Sequence, residues 1–359
     1  MEDMSKIAVA MSGGVDSSVT AALLKDEGYE VVGVTMRFWE CEYTDEASMP
    51  FDGCCGVQGL ADAQKVCSIL GIPHKVADMQ QIFKDKVVTD FYTEYSRGRT
   101  PNPCIRCNEH LKFSAFMEWV RNFGIDLIAT GHYARIEEHG ERFKLKKGVD
   151  ENKDQSYVLY SMNQEQLGRT LMPLGGLTKQ KVREMAVELG LPVAEKKDSQ
   201  EICFVPDDDY RGFVSRQMPH LLKSGVIKDS NGKVLGEHNG IINYTIGQRR
   251  GIGISADEPL FVIDIDVETN AIVVGSKQET YGNKLVAIDV NWISIENTDN
   301  PIRVNAKIRY NHQEAPATVT HMSDGKVTVT FEEPQMAITP GQAVVFYQED
   351  TVVGGGTIE

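Results

Sequence analysis

Residues 7–24 constrain this chain more than any other stretch. Four apolar residues, Ile7 to Ala10, give way through Met11 to Ser12-Gly13-Gly14-Val15-Asp16-Ser17, and a helical pattern follows through Ala21, Ala22, Leu23 and Leu24. An apolar run closed by a glycine-rich turn and continued with helical periodicity reads as strand, loop and helix. Glycine lacks a Cβ, so the backbone turns sharply there and brings its N–H groups close to an anion. Ser17 stands where an N-cap is expected, which would aim the first-turn amides and the positive end of the helix dipole at the same anion. No Gly-Lys-Ser/Thr follows the glycines, so this is not the loop that holds a γ-phosphate for transfer.

The hexapeptide Ser12-Gly-Gly-Val-Asp-Ser17 resembles the PP-loop of the ATP pyrophosphatases. Those enzymes split ATP between the α and β phosphates and leave AMP on a substrate oxygen.

The chain around it repeats the same alternation. Tyr29 to Met36 is a second apolar, β-branched strand, Val57 to Leu70 a helix ended by Gly71, His74 to Ala77 a third strand and Gln80 to Ser96 a helix. Asn108 to Phe123 is a further helix capped by Gly124, Ile125 to Thr130 a strand, and Lys179 to Leu189 a helix stopped by Gly190 and Pro192. Strand and helix in alternation predict a doubly wound, mostly parallel α/β layer with its ligand at the carboxyl ends of the strands. Gly131-His132-Tyr133 lies at one such end. Asp207 to Gln217 reads as a short helix, and the polar stretch Arg37 to Gly56 as a long binding or lid loop.

From about Gly225 the pattern changes to short alternating strands with turn dipeptides at Asn231-Gly232, Asn239-Gly240, Asp324-Gly325 and Pro340-Gly341. A chain of 359 residues exceeds one ordinary core. The expected division is an α/β domain over 1–217, a small β domain over 218–280 and a β-barrel over 281–359.

A formal net charge of -15 argues against loose, charge-driven binding to nucleic acid, but not against a polyanion docked on local basic patches. Such patches are Arg97, Arg99, Arg106 and Lys112, then Lys144, Lys146, Lys147 and Lys153, then Arg249 and Arg250. No apolar run approaches the ~18 residues of a membrane span, and the amino end has no signal or transit character, so a cytoplasmic protein without membrane partners is expected. Seven cysteines without a signal peptide read as thiols, ligands or catalysts rather than a disulfide framework.

Two of them stand in Arg97-Gly-Arg-Thr-Pro-Asn-Pro-Cys104-Ile-Arg-Cys107-Asn108, a basic loop stiffened by Pro101 and Pro103. With a helix beginning near Asn108, Cys107 would sit at a positive terminus beside arginines, conditions that favour the thiolate and make it a plausible nucleophile. Cys67 falls at an apolar position of a helix and reads as core. The vicinal Cys54-Cys55 pair, like Cys41, is read as loop packing.

Met11–Ser17, Gly98–Asn108, Ala129–Tyr133, Lys153-Asp-Gln-Ser-Tyr157 and Lys197-Asp-Ser-Gln-Glu-Ile-Cys-Phe204 together match one family. With Tyr244-Thr-Ile-Gly-Gln-Arg-Arg-Gly251 and Thr339-Pro-Gly-Gln342, the chain resembles the tRNA-specific 2-thiouridylases from end to end. The resemblance implies a PP-loop (adenine nucleotide alpha hydrolase-like) catalytic domain, a small central domain and a terminal barrel. It implies ATP- and Mg2+-dependent thiolation at C2 of the wobble uridine in tRNAs for lysine, glutamate and glutamine. It also implies a cysteine desulfurase or sulfur-relay protein as donor. By position, Ala10, Met11, Ser12, Gly13, Gly14, Val15, Asp16, Ser17 and Met36 would surround ATP, with Gly131 beside the adenosine. Asn102, Pro103 and Cys104 match the segment that meets the target base. His132, Lys153, Asp154, Gln155, Arg309, Tyr310 and Gln342 match positions that contact tRNA. Cys107 matches the nucleophile and Cys203 the persulfide carrier, with Asp16 counted among the catalytic residues.

Many relatives carry Asp where this chain has Cys104, which puts an acid/base role there in doubt and creates a three-thiol set. Cys104, Cys107 and Cys203 could hold a [4Fe-4S] cluster with one open iron site, or Cys107 and Cys203 could work by persulfide transfer. Zinc would want a fourth ligand that is not evident, and no metal is otherwise assigned. Two further classes share the loop: a small-molecule adenylating ligase, which would release pyrophosphate without tRNA, and an RNA-binding protein with a vestigial nucleotide site, which would bind tRNA without turnover.

Overall fold

The structure, a computed structural model, describes residues 5–39, 57–197, 202–205, 210–217, 219, 222–296, 300–322 and 324–359. Cys41, Cys54 and Cys55, and nearly all of the long loop that carries them, lie outside the described residues. The chain forms two compact units, residues 1–87, 104–206 and 350–352 in the first and 88–103, 207–349 and 353–359 in the second.

In the first unit β1 (Lys6–Ala10) leads into α1 (Val15–Asp26), and β2 (Glu30–Arg37) into α2 (Val57–Leu70) and β3 (His74–Asp78). A helical run follows as α3 (Gln80–Phe83) and a π segment (Lys84–Val88), and the chain passes into the second unit with α4 (Thr89–Ser96). A second begins with α5 (Pro103–Cys107), widens to a π segment over Asn108–Ala115 and ends as α6 (Phe116–Arg121). Then come β4 (Leu127–Ala129), a hairpin of β5 (Ala134–His139) and β6 (Arg142–Lys147), α7 (Gln164–Gly168), β7 (Thr170–Leu171) and α8 (Lys179–Glu188).

Five of these strands form one sheet in the order β3-β2-β1-β4-β7, every pair parallel. The residues dictate this: β2 buries Val31, Val32, Val34 and Met36 in near-continuous succession, as a strand covered on both faces must. Ile7 and Val9 of β1 pack with Val19 and Leu24 of α1, Val66 of α2, and Val182 of α8. The strand order reverses direction between β1 and β4, so a crevice opens beyond their carboxyl ends, where a doubly wound sheet takes its ligand. The two chain segments that leave those ends are Met11–Gly14 and Thr130–His132.

The second unit holds α9 (Tyr210–Gln217) and a four-stranded sheet, β10 (Phe261–Asp266), β11 (Ala271–Gly275), β8 (Ser224–Asp229) and β9 (Val234–Asn239), in that order. Six more strands follow: β12 (Tyr281–Trp292), β13 (Ile302–Lys307), β14 (Ala315–His321), β15 (Val327–Met336), β16 (Ala343–Gln348) and β17 (Thr351–Ile358). They run β12-β15-β14-β13-β16-β17, and β17 pairs back onto β12, closing a barrel. Its interior is filled by alternate residues: Val304 and Ala306 of β13, Ala315, Ala317 and Val319 of β14, and Val327, Val329 and Phe331 of β15. No described helix is long and apolar enough to cross a membrane.

Two expectations are corrected. Helix α1 starts at Val15 with Gly14 as its N-cap, so Ser17 is inside the first turn and not its cap. Gly13 adopts φ +71°, a left-handed conformation that lets the helix begin three residues sooner than a cap at Ser17 would require. The other helix starts at Pro103 rather than near Asn108. A proline is well placed as a first helical residue, where its missing N–H costs nothing. Cys104 therefore occupies the first turn, and Cys107 lies a turn further along, beyond the reach of most of the dipole.

Candidate active site

The loop after β1 is built to leave amides unspent. The Gly14 cap carries no side chain to accept from the first turn of α1, and no side-chain cap hydrogen bond is formed. The serines instead brace the loop from within: Ser12 N–H donates to Ser17 Oγ at 3.2 Å, and Ser18 Oγ donates to the Gly14 carbonyl at 2.8 Å. The first-turn amides of a twelve-residue helix at the switch point of a parallel sheet are an anion site by geometry alone. Three glycines permit the close packing. A Cβ on Gly13 would stand 2.2 Å from the Gly59 carbonyl oxygen. One on Gly131, at the exit of β4, would stand 2.9 Å from Asp16 Cβ and from the Ser17 nitrogen. Gly14 is less crowded, with only Ser12 Oγ at 3.4 Å.

Asp16 is fixed by two residues distant in sequence. Lys179 Nζ lies 2.8 Å from each of its carboxylate oxygens, and Tyr133 OH donates to Oδ1 at 2.8 Å. A second lysine, Lys196, donates to the Gly13 carbonyl at 3.1 Å and to Asp62 at 2.7 Å. Its own segment is clamped by Arg183, whose guanidinium donates to the Ala194 and Lys196 carbonyls. Lys179, Tyr133, Lys196 and Asp62 are site residues that the sequence reading did not single out. One signal for Lys179 was available. It opens α8 directly after the Thr178 cap, and a cation at a helix N-terminus opposes the dipole unless an acid holds it.

Met11 and Met36 are buried beside the loop, Met11 N–H donating to the Val34 carbonyl at 2.8 Å. Ala10 ends β1 and Val15 opens α1. His132 is buried with both ring nitrogens engaged, Nδ1 against Thr130 Oγ1 at 2.8 Å and Nε2 against Lys112 Nζ at 3.5 Å. Burial and the Lys112 charge hold its pKa well below the usual histidine value, so the ring is neutral, accepting from Lys112 at Nε2 and donating to Thr130 at Nδ1.

The Lys153-Asp154-Gln155 turn spends two of its side chains on backbone amides of this unit. Asp154 accepts from the Gly148 and Ser156 amides, and Gln155 Oε1 accepts from Tyr133 N–H at 2.9 Å. Lys153 N–H closes onto the Asp150 carbonyl. In the second unit, Arg309 donates to the Met336 carbonyl at 3.2 Å, and Lys307 sits over the half-exposed Tyr310 ring. Gln342 donates to the Thr100 carbonyl at 2.9 Å, in the segment that runs into Asn102 and Pro103. Several basic residues are neutralised locally: Arg99 by Glu94, Arg106 by Glu109, and Lys146 by Glu137 and Asp350.

Among the described cysteines all four are thiols: Cys104 exposed, Cys203 half-buried, Cys107 and Cys67 buried. Cys67 is core, its sulfur filling the space where a Cβ on Gly33 would stand, and burial pushes its thiol up to about 11. Among the described residues no group of three or more His, Cys, Asp or Glu side chains is arranged to hold a metal. Cys104, Cys107 and Cys203 thus do not present the converging donor set that an iron–sulfur cluster needs, and no step is derived through one. A nucleotide-bound Mg2+ asks less of the protein, one or two carboxylates and the phosphates themselves, and Asp16 is a carboxylate standing in the cradle.

Three family models match the chain in succession: a tRNA methyl transferase HUP domain over residues 5–207, a tRNA methyl transferase PRC-barrel domain over 211–276 and an aminomethyltransferase beta-barrel domain over 282–358. The tRNA-specific 2-thiouridylase MnmA 1 of Caldanaerobacter subterraneus subsp. tengcongensis is 52% identical over 361 residues, covering 100% of this chain and 99% of its own. The tRNA-specific 2-thiouridylase MnmA of Desulforamulus reducens is 50% identical over 356 residues, covering 99% of this chain and 97% of its own.

Proposed function

The chain belongs to the tRNA-specific 2-thiouridylase family, and from that premise we propose that it replaces the C2 oxygen of the wobble uridine in tRNAs for lysine, glutamate and glutamine with sulfur, cleaving ATP to AMP and pyrophosphate. The observation that carries this reading is the uncapped first turn of α1 at the sheet's switch point, braced by Lys179 and Lys196.

A uracil carbonyl oxygen is a poor leaving group, and joining it to AMP makes its departure feasible. In the first step the uracil O2 attacks the α-phosphorus, an O–P bond forms, and the bond to the β-phosphate breaks. The negative charge that accumulates on the departing pyrophosphate meets preorganised amides, the arrangement in which electrostatic stabilisation costs no reorganisation. Mg2+ enters with ATP and offsets phosphate charge when bound.

In the second step the outer sulfur of a Cys203 persulfide attacks C2 and AMP leaves with the oxygen. The Cys107 thiolate then attacks Cys203 Sγ; the S–S bond breaks, the sulfur stays on C2, and a Cys107–Cys203 disulfide remains for a thiol reductant to open. The persulfide sulfur comes from a cysteine desulfurase or a relay protein. The three-part division at 217/218 and 280/281, with tRNA contacts on the barrel, belongs to the same reading.

The test is pyrophosphate release and 2-thiouridine formation measured together. Wild-type enzyme should release pyrophosphate only when tRNA is present. The Cys107→Ala/Cys203→Ala double variant should still release it while placing no sulfur on RNA. Sulfur transfer by the double variant would sink the persulfide route, and tRNA-independent pyrophosphate release would point to a small-molecule ligase.

A further inference from the structure

The segment that leads into Asn102 and Pro103 is held at its start by α4, where the Arg97, Gly98 and Arg99 amides donate to the Glu94 and Tyr95 carbonyls, and beyond that by residues far away in sequence. Within the second unit it is fastened to the turn between β15 and β16. Thr100 N–H donates to the Pro340 carbonyl at 2.9 Å. Gln342 Nε2 donates to the Thr100 carbonyl at 2.9 Å and more weakly to the Pro101 carbonyl at 3.4 Å. Arg99 Nη2 reaches the Ile358 carbonyl of β17 at 3.2 Å while its Nε pairs with Glu94 at 2.6 Å. Gly341 makes room for this approach. It holds φ +89°, and a Cβ there would stand 3.0 Å from both the nitrogen and the oxygen of Thr100.

The geometry has a chemical consequence. Both groups facing the Gln342 amide are carbonyl acceptors, so its NH2 must point inward at residues 100 and 101. Pro101 has no N–H, so its side of the segment cannot be anchored by a donated backbone bond, and the anchoring donor has to come from elsewhere. Immediately after it come Asn102 and Pro103, the first residue of α5.

We infer that Gln342 is a positioning residue for sulfur transfer, holding Thr100 and Pro101 with its side-chain amide and so setting the course of the chain through Asn102 and Pro103, the segment matched to the target base. This deepens the proposed function and rests on it, and it assigns Gln342 a role inside the protein distinct from contact with tRNA.

Two variants test it from opposite sides. Gln342→Met keeps the bulk and removes the donors, whereas Gly341→Ala keeps Gln342 and pushes Thr100 away. Both are measured for kcat at saturating tRNA, tRNA dissociation constant, ATP affinity, and hydrogen exchange over residues 94–103. The expected result is a kcat lowered about tenfold or more in both, with tRNA affinity in Gly341→Ala within about twofold of wild type, because misplacing the base-facing segment costs rate more than binding. Thr100 and its neighbours should exchange faster, while unchanged ATP affinity shows the nucleotide unit intact. The inference is overturned if Gln342→Met weakens tRNA binding with kcat and exchange unchanged, or if exchange rises in both variants and kcat does not fall. Wild-type enzyme that places no sulfur on tRNA overturns the functional reading instead, and exchange then still decides for or against the latch.

Discussion

The nucleotide cradle and the segment that carries the chain into Cys104 and Cys107 are held in contrasting ways. The cradle backbone is made by a continuous strand, turn and helix, Lys6 to Asp26, braced from within by hydrogen bonds among Ser12, Gly14, Ser17 and Ser18, with Lys179 and Lys196 added from outside. The entering segment, residues 97–103, takes anchors from residues 340, 342 and 358 in addition to those from α4, through partners as far as 259 positions away in sequence. The cradle's backbone is a local pattern that distant side chains reinforce. A segment fixed by remote turns can be moved without unfolding anything, which suits the role in sulfur transfer proposed for it.

The sharpest way to test this contrast is inside the cradle itself. Gly13→Ala should abolish ATP binding, a loss of about a hundredfold or more. The substitution forces an L residue to φ +71° at ~1–2 kcal/mol and drives a methyl into the Gly59 carbonyl. Gly14→Ala, at a β-region φ of -99° with 3.4 Å to its nearest neighbour, should bind ATP within about threefold of wild type, since an L residue fits there unstrained and loses only the modest advantage of Gly over Ala as a cap. Calorimetric titration of ATP into both variants separates them. Equal losses would mean that the cradle depends on glycine flexibility in general and not on the Gly13 turn.

The next largest effect probes whether the cradle is as local as it looks. Lys179→Met leaves Asp16 with the Tyr133 hydroxyl but no cation, in a pair whose lysine is only 11% exposed and whose acid is 33% exposed. Partial exposure discounts the cost of a fully buried pair, so a loss of about 2 kcal/mol in unfolding free energy is expected, with Lys179→Arg recovering part of it. Urea denaturation measures this. A Lys179→Met protein as stable as wild type would make the cradle self-sufficient and strengthen the contrast beyond what the ion pair suggests.

What could be read from the sequence follows the same divide. Helices at Val57–Leu70 and Gln80–Ser96, and the strands around them, were legible because apolar periodicity and Gly or Pro stops are local signals. Ser17 was misread because serine is a favoured cap and nothing in Ser-Gly-Gly-Val-Asp-Ser says which residue takes the left-handed φ. Cys107 was misplaced because Pro101-Asn-Pro103 reads as loop, although the second proline is the first residue of a helix. The hydrogen bonds that Gln342 and Arg99 make leave no trace in any window of the chain. They appear only when β15 and β16 bring their connecting turn to Thr100. Lys179 falls between these cases, since its uncomfortable place at a helix start was a local hint of a distant acid.

The smallest effect expected is with acid, and it separates the two regions by chemistry rather than by distance. Gln342, Thr100, Pro340 and Gly341 carry no titratable group, whereas the exit of β4 holds buried, neutral His132. Its folded pKa lies below the value of ~6.5 that it takes when unfolded, so the unfolded chain binds the extra proton first as pH falls. Its contribution is therefore fully present above about pH 6.5 and is lost below it, by up to ~1.4 kcal/mol per pH unit until the folded pKa is reached. His74, pulled down by burial against Thr35, acts in the same direction in the same unit. His132→Gln should flatten the acid side of the stability curve between about pH 6.5 and 5 while leaving the plateau above it within ~1 kcal/mol. Protection factors at residues 128–134 should fall from pH 7.5 to 5.5 in wild type, while those at residues 98–101 should not. If the latch loosened with acid as far as the β4 exit did, its hold would depend on a charged pair such as Arg99–Glu94 and not on the uncharged bonds of Gln342 and Thr100.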